Sequence, residues 1–437
     1  MKMGYVYILK CSDRSYYTGS TIDLEKRLNQ HSEGQGANHT KKRLPIKLMF
    51  AQKFKSIEEA FKREKQIQGW SRKKKEALIN ENYDKLPELS IAYRDKMNNK
   101  NVSSSTSDTN SLFKNLEALP ETLEGRHTRN TFYSNGKLLL TGEYFVLDGA
   151  KSLAVPTTCG QDLNVESIKG NQLIWQSFTN TGKCWLEAIF DLPKLRLVSA
   201  DFEATVDGGS DTLAENLRTI LIETQKLNPT FLNSDKGFLV KTNLTFPKNW
   251  GLGTSSTLIN NLATWAAINP YNLLENTFGG SGYDIACAKH NTPILYAKVG
   301  KIPLVEKVEF NPSFKEQLYF VYLNKKQNSR EGIQRYRDMK DSLSREIQQI
   351  SSLTDAFLEC NNLDDFNKIL FEHEQLVSKT IQLKTVQEKY FSDYFGQTKS
   401  LGAWGGDFIL ATGNEDTPNY FKQKGFETVI RYQDLIL

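Results

Sequence analysis

Residues 98–111 read NNKNVSSSTSDTNS; eleven of these fourteen are Ser, Asn or Thr, and Val102 is the only aliphatic. Such a stretch carries too little apolar surface to offset the entropy of ordering it. A 437-residue chain interrupted in this way is expected to fold as separate units. The reading is an N-terminal domain over 1–97, a flexible linker over 98–130 and a larger domain over 131–437. Pro120, Gly125 and the polar run from Arg126 to Asn130 extend the linker, with room for one transient helical turn. Random-coil scaling gives such a linker a span of about 30 Å, so the flanking domains need not touch.

Charge changes sign across the same boundary. Residues 1–97 hold 21 Lys and Arg against 12 Asp and Glu, whereas the remainder holds 35 against 39. The overall +5 therefore conceals a basic first fifth and a mildly acidic body. Binding to a polyanion is expected of the N-terminal part alone. The five cysteines (Cys11, Cys159, Cys184, Cys287 and Cys360) are scattered without a Cys-x-x-Cys pair, which argues against a disulfide framework or zinc cluster. No run approaches the roughly 20 apolar residues that span a bilayer. These features predict a soluble, cytoplasmic protein without a membrane partner.

In the first domain the pattern predicts strands over 4–10, 15–20 and 46–54 and helices over 23–31, 57–69 and 72–81. Ser56 with Glu59 reads as a capping box, and Ser71 as a further cap. Arg27 and His31, four apart, share one helix face. On the following helix, Ile57, Ala60 and Phe61 mark an apolar stripe whose next position is Glu64, with Ile67 after it. A carboxylate on a buried stripe must be paired, metal-bound or shifted in pKa. It is either half of an ion pair, with Arg27 or the basic neighbours of Lys65, or a functional group.

Tyr5-Val6-Tyr7, then Tyr17-Thr18-Gly19, followed by Arg27, His31 and the helical Glu64, resembles the GIY-YIG nuclease family. The resemblance covers essentially all of 3–80 and is close to the small stand-alone subgroup. Gly34-Gln35-Gly36-Ala37 with Thr40, Arg43-Leu44-Pro45, and Arg63-Glu64-Lys65 running into Trp70-Ser71-Arg72 support it. Tyr5 stands where the family's name has glycine, a packing position. The resemblance implies that Glu64 holds Mg²⁺ or Mn²⁺ and that Tyr7, alone or assisted by His31, deprotonates the attacking water. It further implies that Tyr17 positions the water or phosphate and that Arg27 neutralises charge on the phosphorane. DNA would be the partner, with Lys41-Lys42-Arg43 and Arg72 to Lys75 supplying sequence-blind phosphate contacts. Taken alone, Lys73–Lys75 also fits a solvated helix face.

Downstream, strand-like runs over 137–140, 237–242 and 294–298 alternate with helices near 211–226 and 255–268. Residues 327–396 read as mostly helical, and 401–412 as a strand pair interrupted by glycine. Gly251-Leu252-Gly253-Thr254-Ser255-Ser256-Thr257 opens an amphipathic helix. Glycines admit close approach and a helix start suits phosphate, but a plain capping turn has the same composition. Gly279-Gly280-Ser281-Gly282 presents Asp284 as a base, or as a mere cap for a helix at 285–289.

Taken in order with Lys137 to Tyr144 and with Lys399 to Leu410, these segments resemble the GHMP kinase superfamily over about 132–437. They look most like its mevalonate and phosphomevalonate kinases, and a subgroup known for its Gly-Tyr-Asp-Ile-Ala string matches well. The implied fold class is α+β throughout, a small three-stranded GIY-YIG module linked to a two-lobed GHMP kinase fold. The implied chemistry is phosphoryl transfer from ATP to a small hydroxyl- or phosphate-bearing acceptor. Gly251, Leu252, Gly253, Thr254, Ser255 and Ser256 would wrap the phosphates, and the Ser256 hydroxyl would bind magnesium. Asp284 would orient or deprotonate the acceptor, with the positive charge of Lys137 nearby. Asn135-Gly136-Lys137 replaces the usual Pro-Gly-Lys, and Trp404 and Asp407 fill usually small positions that border the acceptor. Glu275 is the nearest acidic magnesium ligand. Together the modules predict a bifunctional nuclease and kinase; the alternative keeps one catalytic, the N-terminal module being a nucleic-acid-binding unit or passenger.

Overall fold

A computed structural model of the chain describes residues 3–80, 130–202, 210–234, 236–325, 329–338, 343–402 and 404–437. Met1–Thr128 and Arg129–Leu437 form two compact units. The expected linker lies outside the described residues except for Asn130, which opens a strand of the second unit.

In the first unit β1 (Gly4–Lys10) is central, with β2 (Tyr16–Thr21) and β3 (Lys47–Phe54) antiparallel on either side. Helix α1 (Leu24–Ser32) is capped by Asp23, and short α2 (Asn38–Lys41) follows it. Helices α3 (Ile57–Gln68) and α4 (Arg72–Ile79) start at Ser56 and Ser71, whose hydroxyls accept from the N–H groups of Glu59 and Lys74. Val6 and Ile8 point from one face of β1 into a core with Ala60, Ile67, Leu78 and Ile79. By strand alternation Tyr7 lies on the other face, and it too is buried. Its cross-strand partner is Gly19, where a Cβ would stand 2.5 Å from the Tyr7 hydroxyl. Phe61 departs from the expected stripe: it is half exposed beneath the Lys65 ammonium, and the buried positions of α3 are Ala60, Glu64 and Ile67. Phe61 sits one residue, or 100°, around the helix from that line.

The second unit carries two sheets. The first has eight strands, with β4 (Asn130–Leu139) paired to long β5 (Ser152–Ile168). Strands β6 (Gln172–Phe178), β7 (Cys184–Asp191), β8 (Arg196–Phe202) and β9 (Gly237–Asn243) extend it on one side. Against them pack α5 (Ser210–Leu227), α6 (Thr254–Trp265), α7 (Pro270–Asn276) and α8 (Tyr283–Lys289). On the other side lie β10 (Ile294–Val299) and β11 (Ile302–Lys307).

The second, antiparallel sheet begins with β12 (Leu318–Tyr322), which precedes helices α9 (Ser329–Asp338), α10 (Ser344–Glu359), α11 (Leu363–Ile381) and α12 (Val386–Tyr390). It is completed by β13 (Thr398–Ser400), β14 (Phe408–Thr412) and, after α13 (Thr417–Gln423), β15 (Val429–Arg431). The last helix is α14 (Tyr432–Leu435). One core, containing Leu138, Val155, Phe320, Phe366 and Leu410, joins the two sheets. The chain is thus mixed α+β, with the small sheet ahead of the larger body. Among the described residues no helix is long and apolar enough to cross a membrane.

Candidate functional site

In the first unit the pairing of β1 with β2 brings Tyr7 and Tyr17 together, their ring centroids 6.3 Å apart. Helix α1 adds Arg27 and His31 from one face. The Tyr7 hydroxyl is 2.9 Å from His31 Nε2, and His31 Nδ1 is 2.7 Å from the Thr40 hydroxyl. Burial pushes the Tyr7 phenol up to about 12, with Arg27 pulling the other way. Burial, aided by the Arg27 charge, holds the His31 imidazolium down to about 4, so His31 is neutral at physiological pH. Both phenols in turn raise the pKa of Arg27, the hydrogen bond to Tyr7 most strongly.

Glu64 is buried, but neither expected cation partners it. Oε2 accepts from the Ser20 hydroxyl at 2.5 Å and Oε1 from the Gln68 amide at 2.5 Å. Both of these donors are neutral. The Glu64 charge reaches both phenols and raises their pKa. The site therefore contains a phenol–imidazole pair, a guanidinium and a buried carboxylate held by Ser20 and Gln68, a set able to move a proton and stabilise a developing oxyanion. Ser20, Gln68 and Thr40 complete it. Of the basic residues expected at phosphates, Arg43 is bonded to Asp13 and Arg72 to Glu76, whereas Lys41, Lys42 and Lys73 are exposed.

In the second unit Gly251 and Gly253 take left-handed backbone angles (φ +68° and +99°), and α6 starts without a side-chain cap bond. Its first N–H groups therefore have no side-chain cap to accept from them. Lys137 Nζ donates to the Gly251 carbonyl at 3.1 Å and lies 5.7 Å from the centre of the Tyr283 ring. Burial opposes the charge on Lys137, but Tyr283, Asp284 and Asp407 outweigh it and raise its pKa. Burial likewise raises the Asp284 carboxyl, with Lys137 as the opposing charge. Asp284 is not the cap of its helix. It sits inside α8, whose cap is Gly282 at φ +88°, because only glycine accepts that angle without strain. A Cβ on Gly251 would strike the Asp407 carboxylate, so this side chain borders the loop.

Other expected members lie elsewhere. Leu252 is core, and only its carbonyl, bonded to the Lys137 N–H, belongs to the site. The Ser256 hydroxyl turns back onto the Gly253 carbonyl at 2.9 Å, while Ser255 is exposed and Thr254 half-buried. Glu275 is exposed and paired with Lys301. The Trp404 indole N–H donates to the Lys384 carbonyl, and its backbone N–H to the Tyr144 hydroxyl. Trp404 forms one wall of a cavity of about 910 Å³.

Behind the Gly-rich segments lies a cluster that sequence reading missed. Glu143, His373, Glu374 and Lys399 are all fully buried, with Lys399 bonded to Glu143. His373 Nε2 accepts from the Gly142 N–H at 3.0 Å, and burial with the Lys399 charge keeps the ring neutral. Burial pushes Glu374 up to about 8, against the pull of Lys399, so it is protonated at neutral pH and the cluster is close to electroneutral. A raised carboxyl pKa stabilises the fold in full below the unfolded value near 4.5, and the contribution is lost as pH rises through about 8. Thermal melts from pH 5 to 8.5 should show wild type losing stability relative to Glu374→Gln; parallel curves would refute the assignment.

Residues 3–77 match the family model described as the GIY-YIG catalytic domain. A UPF0213 protein of Staphylococcus saprophyticus is 48% identical over 81 residues, which cover 18% of this chain and 99% of the relative. The chain belongs to the GIY-YIG family through this unit. A UPF0213 protein of Syntrophus aciditrophicus is 45% identical over 87 residues, covering 20% of this chain and 100% of the relative. For the rest of the chain the likeness is one of fold. Mevalonate kinase of Methanococcus jannaschii superposes with a TM-score of 0.51 at 16% identity, covering 70% of this chain and 97% of that one. Phosphomevalonate kinase of Streptococcus pneumoniae, solved with phosphomevalonate and AMPPNP, gives 0.50 at 13%, covering 69% and 99%. The larger body has a GHMP-kinase-like fold, and the GIY-YIG unit precedes it.

Proposed function

We propose that the chain is a bifunctional enzyme, a metal-dependent DNA phosphodiesterase joined to an ATP-dependent small-molecule kinase. For the GIY-YIG unit the reading rests on Glu64, a buried carboxylate held by neutral donors beside the Tyr7–His31 pair. The donor set fits a hard divalent cation. No group of three or more acidic, histidine or cysteine side chains placed to hold a metal ion occurs among the described residues, so water would complete the coordination of Mg²⁺ or Mn²⁺ at Glu64. When bound there, the ion supplies charge for the scissile phosphate. Tyr7 takes the proton of the attacking water, Tyr17 orients the water or phosphate, and Arg27 neutralises the phosphorane. Exposed Lys41, Lys42 and Lys73 give DNA binding its salt dependence. Nicking of branched or single-stranded DNA should require added Mg²⁺ or Mn²⁺ and fall to background in Glu64→Ala; metal-independent nicking or an active Glu64→Ala protein would remove this reading.

For the larger unit the reading rests on the capless start of α6 facing Lys137 and Asp284. The backbone of 251–256 binds the ATP phosphates, with Thr254, Ser255 and Ser256 as the hydroxyls available to magnesium. Asp407, which borders Gly251, replaces Glu275 as the candidate acidic ligand. Lys137 steadies the transferring phosphoryl group and Asp284 orients or deprotonates the acceptor. A screen of ATP-dependent phosphorylation over small hydroxyl- and phosphate-bearing compounds identifies the acceptor directly.

A further inference from the structure

Three fully or nearly fully buried groups in the GIY-YIG unit form an uninterrupted chain. Tyr7 Oη meets His31 Nε2 at 2.9 Å, His31 Nδ1 meets Thr40 Oγ1 at 2.7 Å, and Thr40 Oγ1 meets the Ala37 carbonyl at 2.9 Å. The direction of the protons follows from the last link. A carbonyl oxygen can only accept, so a 2.9 Å contact with Ala37 holds the Thr40 hydroxyl proton; without it two oxygen lone pairs would face each other. Having donated there, Thr40 Oγ1 must accept from His31, which places the ring proton on Nδ1. The ring is neutral because burial lowers its pKa, so Nε2 is left bare and accepts the Tyr7 proton. The reverse order would leave Thr40 and Ala37 oxygens in contact without a proton. Backbone packing fixes the ring plane, since a Cβ on Gly36 would strike His31 Nδ1.

We infer that Thr40 is a positioning residue that locks His31 in the Nδ1–H tautomer and so makes it the internal acceptor of the Tyr7 proton. The inference rests on the phosphodiesterase reading for its kinetic consequence, but not for the tautomer itself. In the reaction the O–H bond of the attacking water breaks as its proton passes to Tyr7 Oη. The phenol's own proton passes at the same time to His31 Nε2, so Tyr7 stays neutral. The water oxygen bonds phosphorus, the P–O3′ bond breaks, and the leaving oxygen takes a proton from solvent. His31 becomes an imidazolium whose Nδ1–H still donates to Thr40, so no hydrogen bond needs rebuilding during the step. The imidazolium then returns its proton to Tyr7, which releases one to water. A histidine carrying its proton on Nε2 would block this path, because Nε2 could no longer accept.

The feature was legible only in part. Thr40 stands nine residues after His31 and three after the Gly34-Gln35-Gly36-Ala37 segment, and nothing in its spacing shows that this stretch folds back over the ring.

The test uses the full-length chain labelled with ¹⁵N-histidine. Of five histidines, His31 is assigned by loss of its signals in His31→Asn. Long-range ¹H–¹⁵N spectra should show the Nδ1–H pattern in wild type and Thr40→Ser, and a shift toward Nε2–H in the isosteric Thr40→Val. In nicking assays kcat should fall by about 10²-fold in Thr40→Val with KM unchanged, and Thr40→Ser should restore it. An Nδ1–H ring in Thr40→Val, or an Nε2–H ring in wild type, overturns the inference whatever the activity. Absence of nicking by wild type with the expected spectra would instead overturn the phosphodiesterase reading and leave the tautomer lock standing. Unfolding of Thr40→Val, read from the dispersion of its remaining signals, moves the decision to wild type and Thr40→Ser, where an Nε2–H ring in either is fatal.

Discussion

Tyr7→Phe is expected to lower metal-dependent nicking by about 10²–10⁴-fold, the range typical of removing a positioned proton-transfer group. The phenol is buried and its ring fills the face of β1 opposite Val6 and Ile8, and phenylalanine keeps that ring. Only the hydroxyl is lost, and with it the acceptor for the water proton and the donor to His31 Nε2. His31 then loses its path to the water, because its Nε2 is reached through the Tyr7 hydroxyl. The stability cost should stay near 1 kcal/mol, one hydrogen bond's worth, so DNA affinity and melting temperature should barely move. Wild-type nicking in this variant would remove Tyr7 from the reaction.

Asp284→Asn should lower ATP turnover by a comparable factor, about 10²–10⁴-fold, while nucleotide binding is retained. Asparagine preserves the size of the side chain and an oxygen to accept from the Ile285 N–H, a bond of 3.0 Å in the wild type. The phosphate-binding elements, Gly251, Gly253 and the start of α6, belong to a different segment and should be unaffected. What disappears is the one carboxylate of α8 that opposes Lys137. Isothermal titration with ATP and steady-state turnover on the identified acceptor separate the two effects. Weaker ATP binding with unchanged kcat would reassign Asp284 to the nucleotide.

Much of the first site could be read from sequence because its groups lie on regular elements. Two strands of known register and one helix face suffice to bring Tyr7, Tyr17, Arg27 and His31 together. Glu64 was recognisable because a carboxylate broke an apolar stripe, although the stripe excludes Phe61, which faces Lys65 instead. Its partners were not readable: Ser20 and Gln68 are ordinary polar residues until the fold places them on either side of the carboxylate. In the larger unit the glycine loops signalled their own location, whereas long-range geometry decided the rest. Asp407 meets Gly251 across a separation of 156 residues, and Lys399 meets Glu143 across 256. No local pattern marks such pairs. Glu275 looked suitable by its position in the chain alone and proved to be a surface partner of Lys301.

The central claim is that one chain carries two catalytic sites that work independently. It is tested most directly by measuring nicking and ATP phosphotransfer side by side on full-length wild type, Glu64→Ala and Asp284→Asn. The account predicts that wild type shows both activities, that Glu64→Ala loses nicking alone and that Asp284→Asn loses phosphotransfer alone. A wild-type chain lacking either activity, or a single substitution that abolishes both, would contradict it.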